Sequence, residues 1–179
     1  MYRYTKYRKE GNIVSIPLQE IQKYLLKNHV KPSFPRLKVF EYLATNASHP
    51  TVDDIYRALV VEIPTLSKTT IYNTLDLFLR ANVIRAVTID GNELRYDVDI
   101  TDHGHFKCER CNSIYEFDID PDALSASDLD GFEVRERNVY YRGICPKCRA
   151  EEKAPEFSAS GAKEESSDRS APTPAAYGA

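Results

Sequence analysis

The chain of 179 residues has no apolar run approaching the length that crosses a bilayer. Its N-terminus, Met1-Tyr2-Arg3-Tyr4-Thr5-Lys6, lacks the apolar core of a secretory signal. A cytoplasmic, reducing location is the expectation, with no membrane partner. Cysteine is scarce too, and all four fall in two Cys-x-x-Cys pairs, Cys108–Cys111 and Cys145–Cys148. A reducing compartment suits such thiols as metal ligands better than as disulfides. Net charge is low, −3, but uneven. Residues 1–100 carry 14 Lys and Arg against 11 Asp and Glu, whereas residues 101–179 carry 10 against 16. That split permits a nucleic-acid face on the first half and is too weak to establish one.

What is there is concentrated in Asp102-His103-Gly104-His105-Phe106-Lys107-Cys108-Glu109-Arg110-Cys111-Asn112-Ser113-Ile114-Tyr115-Glu116. A two-residue spacer lets both thiolates of a pair reach one ion from a tight turn, and two such pairs complete a tetrahedral Zn²⁺ shell. Four sulfurs leave no open position, so this spacing predicts a structural zinc, one per subunit. Two dithiol redox pairs are the competing reading. It is disfavoured on the expectation that neither pair opens a helix in a βαβ pattern.

Along the chain the pattern predicts an α+β protein. Residues 1–14, with Arg3, Lys6, Arg8 and Lys9, read as a flexible arm. Leu18, Ile21 and Leu25 form a helical stripe ending near Asn28. Pro35 suits the first turn of a second helix with Leu37, Phe40, Leu43 and Ala44 inward. Thr51 with Asp54 makes an acidic capping box for a third helix bearing Val52, Ile55, Tyr56 and Leu59. Ser67 caps a fourth running to about Ala81. Two β-rich runs, Val83–Thr88 and Leu94–Asp97, flank the Asp90-Gly91 turn as a hairpin. Helix, helix, short turn, helix, hairpin is the order of a winged helix-turn-helix, over residues 15–98. The start of the fourth helix is chemically apt for DNA: Lys68, Thr69, Thr70, Tyr72 and Asn73 stand opposite its apolar face. Thr and Tyr suit thymine methyls, Asn73 suits adenine, and Arg36 and Lys68 suit phosphates. Beyond the first Cys pair, Ser113–Ile119, Phe132–Arg137 and Val139–Arg142 read as strands, and residues 121–129 as a short helix. This small α/β unit, residues 103–152, has a thin core that zinc and a partner subunit would both support. Residues 153–179 have almost nothing to bury and read as a disordered tail.

His103 and His105 alternate on an extended segment, so both imidazoles face one side. Asp97 ends the hairpin and Glu116 follows on the next strand. His49, before Pro50, reads from spacing alone as a turn residue. Imidazoles with one or two carboxylates suit Fe²⁺, Mn²⁺, Co²⁺ or Zn²⁺. A metallohydrolase with an open coordination position is a lower-ranked reading, since only Asp97 or Asp102 offers a general base. A zinc-ribbon interaction module without DNA is a further alternative.

As a set, these residues resemble the ferric uptake regulator (Fur) family of metal-dependent repressors. The resemblance spans residues 18–150. It rests on His49-Pro50-Thr51-Val52-Asp53-Asp54-Ile55-Tyr56, Ser67-Lys68-Thr69-Thr70-Ile71-Tyr72-Asn73-Thr74-Leu75, Asp102-His103-Gly104-His105-Phe106-Lys107-Cys108-Glu109-Arg110-Cys111, and Cys145–Cys148. It implies a homodimer with a hinge at residues 99–102 and a C-terminal dimerisation domain. It further implies regulatory ligands His49, Asp97, His103, His105 and Glu116 for Fe²⁺ or Mn²⁺, with Zn²⁺ or Co²⁺ able to substitute. The implied partner is double-stranded operator DNA, an A·T-rich palindrome. Many iron and zinc sensors of the family carry a further site, which Gly104 and Arg137 do not match. That resembles the peroxide-sensing branch, in which Fe²⁺ directs oxidation of ligand histidines, here His49 or His103. Glu116, where that branch usually has Asp, resembles the iron-sensing branch. The expectation is an iron-responsive repressor and not an enzyme, with peroxide sensing as the alternative.

Overall fold

The computed structural model describes residues 16–46, 48–91, 93–120 and 129–153. The expected N-terminal arm, the tail beyond Lys153 and all but the last residue of the expected 121–129 helix lie outside the described residues. Four helices come first: α1 (Leu18–Lys27), α2 (Phe34–Thr45), α3 (Val52–Leu59) and α4 (Lys68–Arg80). Local features mark one boundary of each. His29, with a left-handed φ of 61°, closes α1, and Pro35 in the first turn of α2 supplies a pre-set φ. Thr51 accepts from the Asp54 amide while Asp54 accepts from the Thr51 amide, a reciprocal capping box at α3. Ser67 caps α4 through the Thr70 amide at 3.1 Å. The apolar stripes of these helices meet in one core around Ile21, Leu25, Phe40, Leu43, Ile55, Ile71, Leu75 and Phe78, with the Phe40 and Phe78 rings edge-to-face at 5.8 Å.

A two-stranded antiparallel hairpin follows, β1 (Arg85–Val87) with β2 (Arg95–Asp97). Gly91 in its turn has φ +76°, a conformation that favours glycine. The first strand is shorter than the sequence pattern suggests, because Val83 and Ile84 are fully buried in the helical core before pairing begins.

The second half is a three-stranded sheet in the order β4-β3-β5, from β3 (Gly104–Cys108), β4 (Ile114–Phe117) and β5 (Val139–Gly143). β4 runs antiparallel and β5 parallel to the central β3. The expected strand over Phe132–Arg137 is not formed. Its alternating pattern finds no neighbouring strand among the described residues, and Phe132 and Val134 stand 69% and 59% exposed. An unexpected helix, α5 (Pro146–Lys153), closes the described chain.

Gly104 marks a close approach across the sheet. A Cβ there would lie 2.2 Å from the Phe117 ring, which is itself stacked on Tyr141 at 5.2 Å. Gly104→Ala should therefore destabilise the fold by about 1–3 kcal/mol through overpacking, read from urea midpoints. Removing the ring as well, in Gly104→Ala/Phe117→Ala, should lift the clash; an unshifted midpoint in the single variant would contradict this packing.

Candidate metal centres and nucleic-acid face

Cys108 ends β3, and the chain reverses through Asn112, whose φ of 58° makes the tight turn that aims Cys111 back. Cys145 and Cys148 arrive from β5 at the first turn of α5, where the Arg149 amide bonds the Cys145 carbonyl at 3.0 Å. The second Cys pair thus opens a helix that the sequence reading did not foresee, but no strand follows α5 among the described residues to make a βαβ unit. What disfavours separate redox pairs is convergence: all four sulfurs lie within 4.8 Å of one another, and none is in a disulfide. Cys111 Sγ and Cys145 Sγ stand 3.9 Å apart, close to the edge of a tetrahedron with bonds of ~2.3 Å. Amides of Cys111, Cys145 and Arg110 hold the Cys108 thiol down to about 6, whereas burial and its sulfur neighbours push Cys148 up to about 12. Four sulfurs so close can all be thiolates only with a cation to share. The Tyr115 hydroxyl bonds Cys145, and Arg110 donates to the Cys148 carbonyl at 2.9 Å.

A second cluster gathers His49, Asp97, His103 and His105, again within 4.8 Å of one another and all buried. They come from both halves of the molecule. His49 lies between α2 and α3 with a left-handed φ of 50°, Asp97 ends β2, and His103 and His105 flank Gly104 at the start of β3. His103 Nε2 is 3.2 Å from Asp97 Oδ2 and 3.0 Å from His105 Nε2. Two imidazoles bound to one ion at ~2.1 Å would show edges of roughly 3.0–3.4 Å. The Thr101 carbonyl, 2.9 Å from His103 Nδ1, can only accept, so Nδ1 carries the proton and Nε2 presents its lone pair to the cluster. Glu116 joins from β4, where it is the register partner of His105, and its Oε1 is 3.1 Å from His49 Nε2. Its side chain, 31% exposed, is the wettest of the five. His49 Nε2, the ring nitrogen that faces this cluster, is buried and makes no hydrogen bond of good geometry among the described residues. A buried ring nitrogen that faces carboxylates without a hydrogen bond is what a divalent cation would resolve, so the donor set fits one.

The electrostatics agree. Burial pushes His49 down, but Asp97 and Glu116 outweigh it and hold its pKa above the ordinary value. His103 is likewise depressed by burial and raised overall by Asp97. His105 is lowered to about 4 by burial and by the two neighbouring imidazoles. The buried state of the ligands gives the hydrolase reading little support.

On the helical half, Lys68, Thr69, Tyr72 and Asn73 are exposed on α4, Tyr72 by 55%. Thr70 is half-buried and its hydroxyl lies 2.9 Å from Ser67 Oγ, so it serves the cap. Lys68 pairs with Asp53 at 2.8 Å beside the Tyr56 ring. Arg36 donates to the Lys31 carbonyl at 2.7 Å. The two positions tied by resemblance to a further metal site are otherwise engaged: Gly104 faces the Phe117 ring, and Arg137 donates to Asp102 at 2.7 Å. Sequence reasoning missed Thr101, whose role is a backbone carbonyl and leaves no signal in residue type. It also missed Tyr115, whose place on β4 beside Glu116 was visible but whose reach to Cys145 was not.

A family model described as the ferric uptake regulator family matches residues 27–148. The peroxide operon regulator of Bacillus subtilis is 32% identical over 138 residues, covering 75% of this chain and 95% of that protein. The peroxide-responsive repressor PerR of Staphylococcus epidermidis is 31% identical over 137 residues, covering 75% and 91%. Among solved structures, the ferric uptake regulator of Francisella tularensis with iron superposes with a TM-score of 0.56 at 26% identity, covering 66% of this chain and 94% of that one.

In metal-free protein the unfolded chain protonates His105 near 6.5 whereas the fold resists until about 4. The unfolded state then holds more protons across that window, so His105 should destabilise the fold as pH falls through it. His49 and His103 act oppositely: their stabilisation is full below 6.5 and is lost as pH rises through their raised values. Histidine ring NMR should find one of the three titrating near 4 and two above 6.5; a common value near 6.5 would refute this arrangement.

Proposed function

The chain belongs to the ferric uptake regulator family, whose members are transcriptional regulators, and from that premise we propose that it is a homodimeric, iron-responsive repressor that binds operator DNA when its regulatory metal is bound. The observation that carries this reading is the ligand cluster that takes His49 and Asp97 from the winged-helix half and His103 and His105 from the sheet half, with Glu116 beside them. In this reading the domains are the winged helix over residues 15–98, a hinge at 99–102 and a dimerisation unit over 103–152. The Cys108, Cys111, Cys145 and Cys148 cluster holds structural Zn²⁺, one per subunit, and the regulatory ion is Fe²⁺ or Mn²⁺. With Gly104 packed against Phe117 and Arg137 on Asp102, the chain has one regulatory site per subunit.

A divalent ion bound there supplies a positive charge that buried donors from both halves share. His49 and Asp97 are thereby held against His103 and His105, which fixes each winged helix relative to the dimer and sets the spacing of two recognition helices on two half-sites. An order of magnitude in DNA affinity requires about 1.4 kcal/mol of such coupling. Tyr72 and Asn73 on α4 face the bases, while Lys68 would exchange Asp53 for a phosphate and Arg36 would meet another.

A second reading is favoured by the relatives named for peroxide response. In it, iron-directed oxidation of His49 or His103 ends repression, and Glu116 in place of Asp sets how readily that happens.

Operator duplexes selected from random DNA with Mn²⁺ present should bind the dimer at least tenfold more weakly in chelator, and His103→Ala should lose the metal response. Binding by His103→Ala equal to wild type with metal would sink the switch. Tyr72→Ala and Asn73→Ala should each cost about 1–3 kcal/mol of operator affinity; unchanged binding would favour a protein-interaction module. Repeating the assay anaerobically with Fe²⁺ and a low dose of peroxide separates the two signals. Lost binding with oxygen added at His49 or His103 by mass spectrometry marks a peroxide sensor, and unmodified histidines with binding that follows Fe²⁺ mark an iron sensor.

A further inference from the structure

Between the two metal clusters, the tip of the β1–β2 hairpin docks on the sheet through charged and polar groups that coordinate no metal. Asp90 lies at its centre, its side chain 9% exposed. One carboxylate oxygen pairs with Lys107 on β3, and the other with Arg95 Nε on β2. Arg95 in turn donates through Nη1 to the His49 carbonyl at 3.1 Å. The adjoining residues make the same crossing: Arg142 on β5 donates to the Ile89 carbonyl, and the Thr88 amide donates to the Tyr140 hydroxyl at 3.0 Å. Tyr140 also packs its ring against His105 at 5.9 Å.

Asp90 therefore touches both halves of the proposed regulatory site at one remove. Through Arg95 it reaches the peptide of His49, a residue whose φ of 50° is unfavourable for a non-glycine and needs holding in place. Through Lys107 it grips β3 two residues beyond His105. We infer that Asp90 is a positioning residue for the regulatory metal, a clasp with Arg95 and Lys107 that fixes His49 relative to the strand carrying His103 and His105. This rests on the reading of those histidines as regulatory ligands.

The physical reason is pre-organisation. A ligand set drawn from two halves must be assembled before it can bind an ion tightly, and affinity falls by the fraction of molecules not assembled. The clasp performs part of that assembly without metal. Its two cations and one carboxylate are largely shielded from water, so the pairing is screened less than a surface ion pair. Both cations outweigh the effect of burial and hold the Asp90 carboxyl below its ordinary range, so it stays charged at neutral pH.

The test is a Co²⁺ titration of the full-length protein with its Cys cluster loaded with Zn²⁺, read by the visible ligand-field bands. Asp90→Asn should weaken Co²⁺ by on the order of tenfold, with zinc content unchanged. Because that variant leaves two cations facing each other, Lys107→Gln provides the second arm: Asp90 keeps Arg95, only the tie to β3 is lost, and a similar weakening is expected. The double variant should cost no more than either single one, since both cut one linkage. Co²⁺ affinity within twofold of wild type in Asp90→Asn and Lys107→Gln would overturn the clasp. Failure of the underlying reading looks different, because wild type and His103→Ala would then bind Co²⁺ alike.

Discussion

The cluster that joins the two halves through His49, Asp97, His103 and His105 turns on the cost of burying a ring nitrogen without a hydrogen bond. His49, Asp97, His103 and His105 are at most 7% exposed, and a buried polar atom left without a hydrogen bond costs on the order of 1–3 kcal/mol. The fold accepts that cost at His49 Nε2, beside the Asp97 and Glu116 carboxylates. Proton sharing reduces it only in part, since three imidazoles so close cannot all be charged: the carboxylates keep His49 and His103 basic while His105 is forced toward the neutral form. The cluster is therefore poised. Protons satisfy it incompletely, and a dication could satisfy it from both halves at once.

The other structural demand is met by sulfur. Apart from the three buried cysteines, packed by Phe106 and Ile144, the second half shows little core among the described residues. The tetrathiolate cluster ties the turn after β3 to the start of α5, and so pins the two ends of the segment that returns as β5. A central strand flanked by one antiparallel and one parallel neighbour needs such a tie, because parallel pairing requires a long connection whose closure entropy is not offset locally.

Much of this could be read from residue order. The four helices announced themselves by apolar spacing and by Pro35, Thr51 and Ser67 at their starts, signals that act within a few residues. The two Cys pairs and the alternation of His103 with His105 did the same for the metal clusters. Other features were not legible, for identifiable reasons. Phe132–Arg137 alternates like a strand, but alternation does not supply the neighbour that makes one. α5 carries almost no apolar stripe, and its anchor is Cys145 and Cys148, which the spacing explains without a helix. His49 read from spacing alone as a turn residue, and only the family resemblance proposed it as a ligand; what brings it to the cluster is its contact with Asp97 and Glu116 far along the chain. Asp90 looked like half of an Asp-Gly turn, and nothing local discloses its hold on Lys107.

Strand β3 places His105 three residues before Cys108, a separation of roughly 10 Å at the rise of an extended chain. That is about one Debye length at physiological ionic strength, and the path between runs through protein. A dication held by four thiolates leaves the Cys cluster with a net charge of about two negative units. Any cation at the histidine–carboxylate cluster then sits in the field of that anion. With both sites filled, the two centres would be electrically coupled neighbours on one strand, and a change of charge state at the sulfur end would be felt as a change in affinity at the imidazole end.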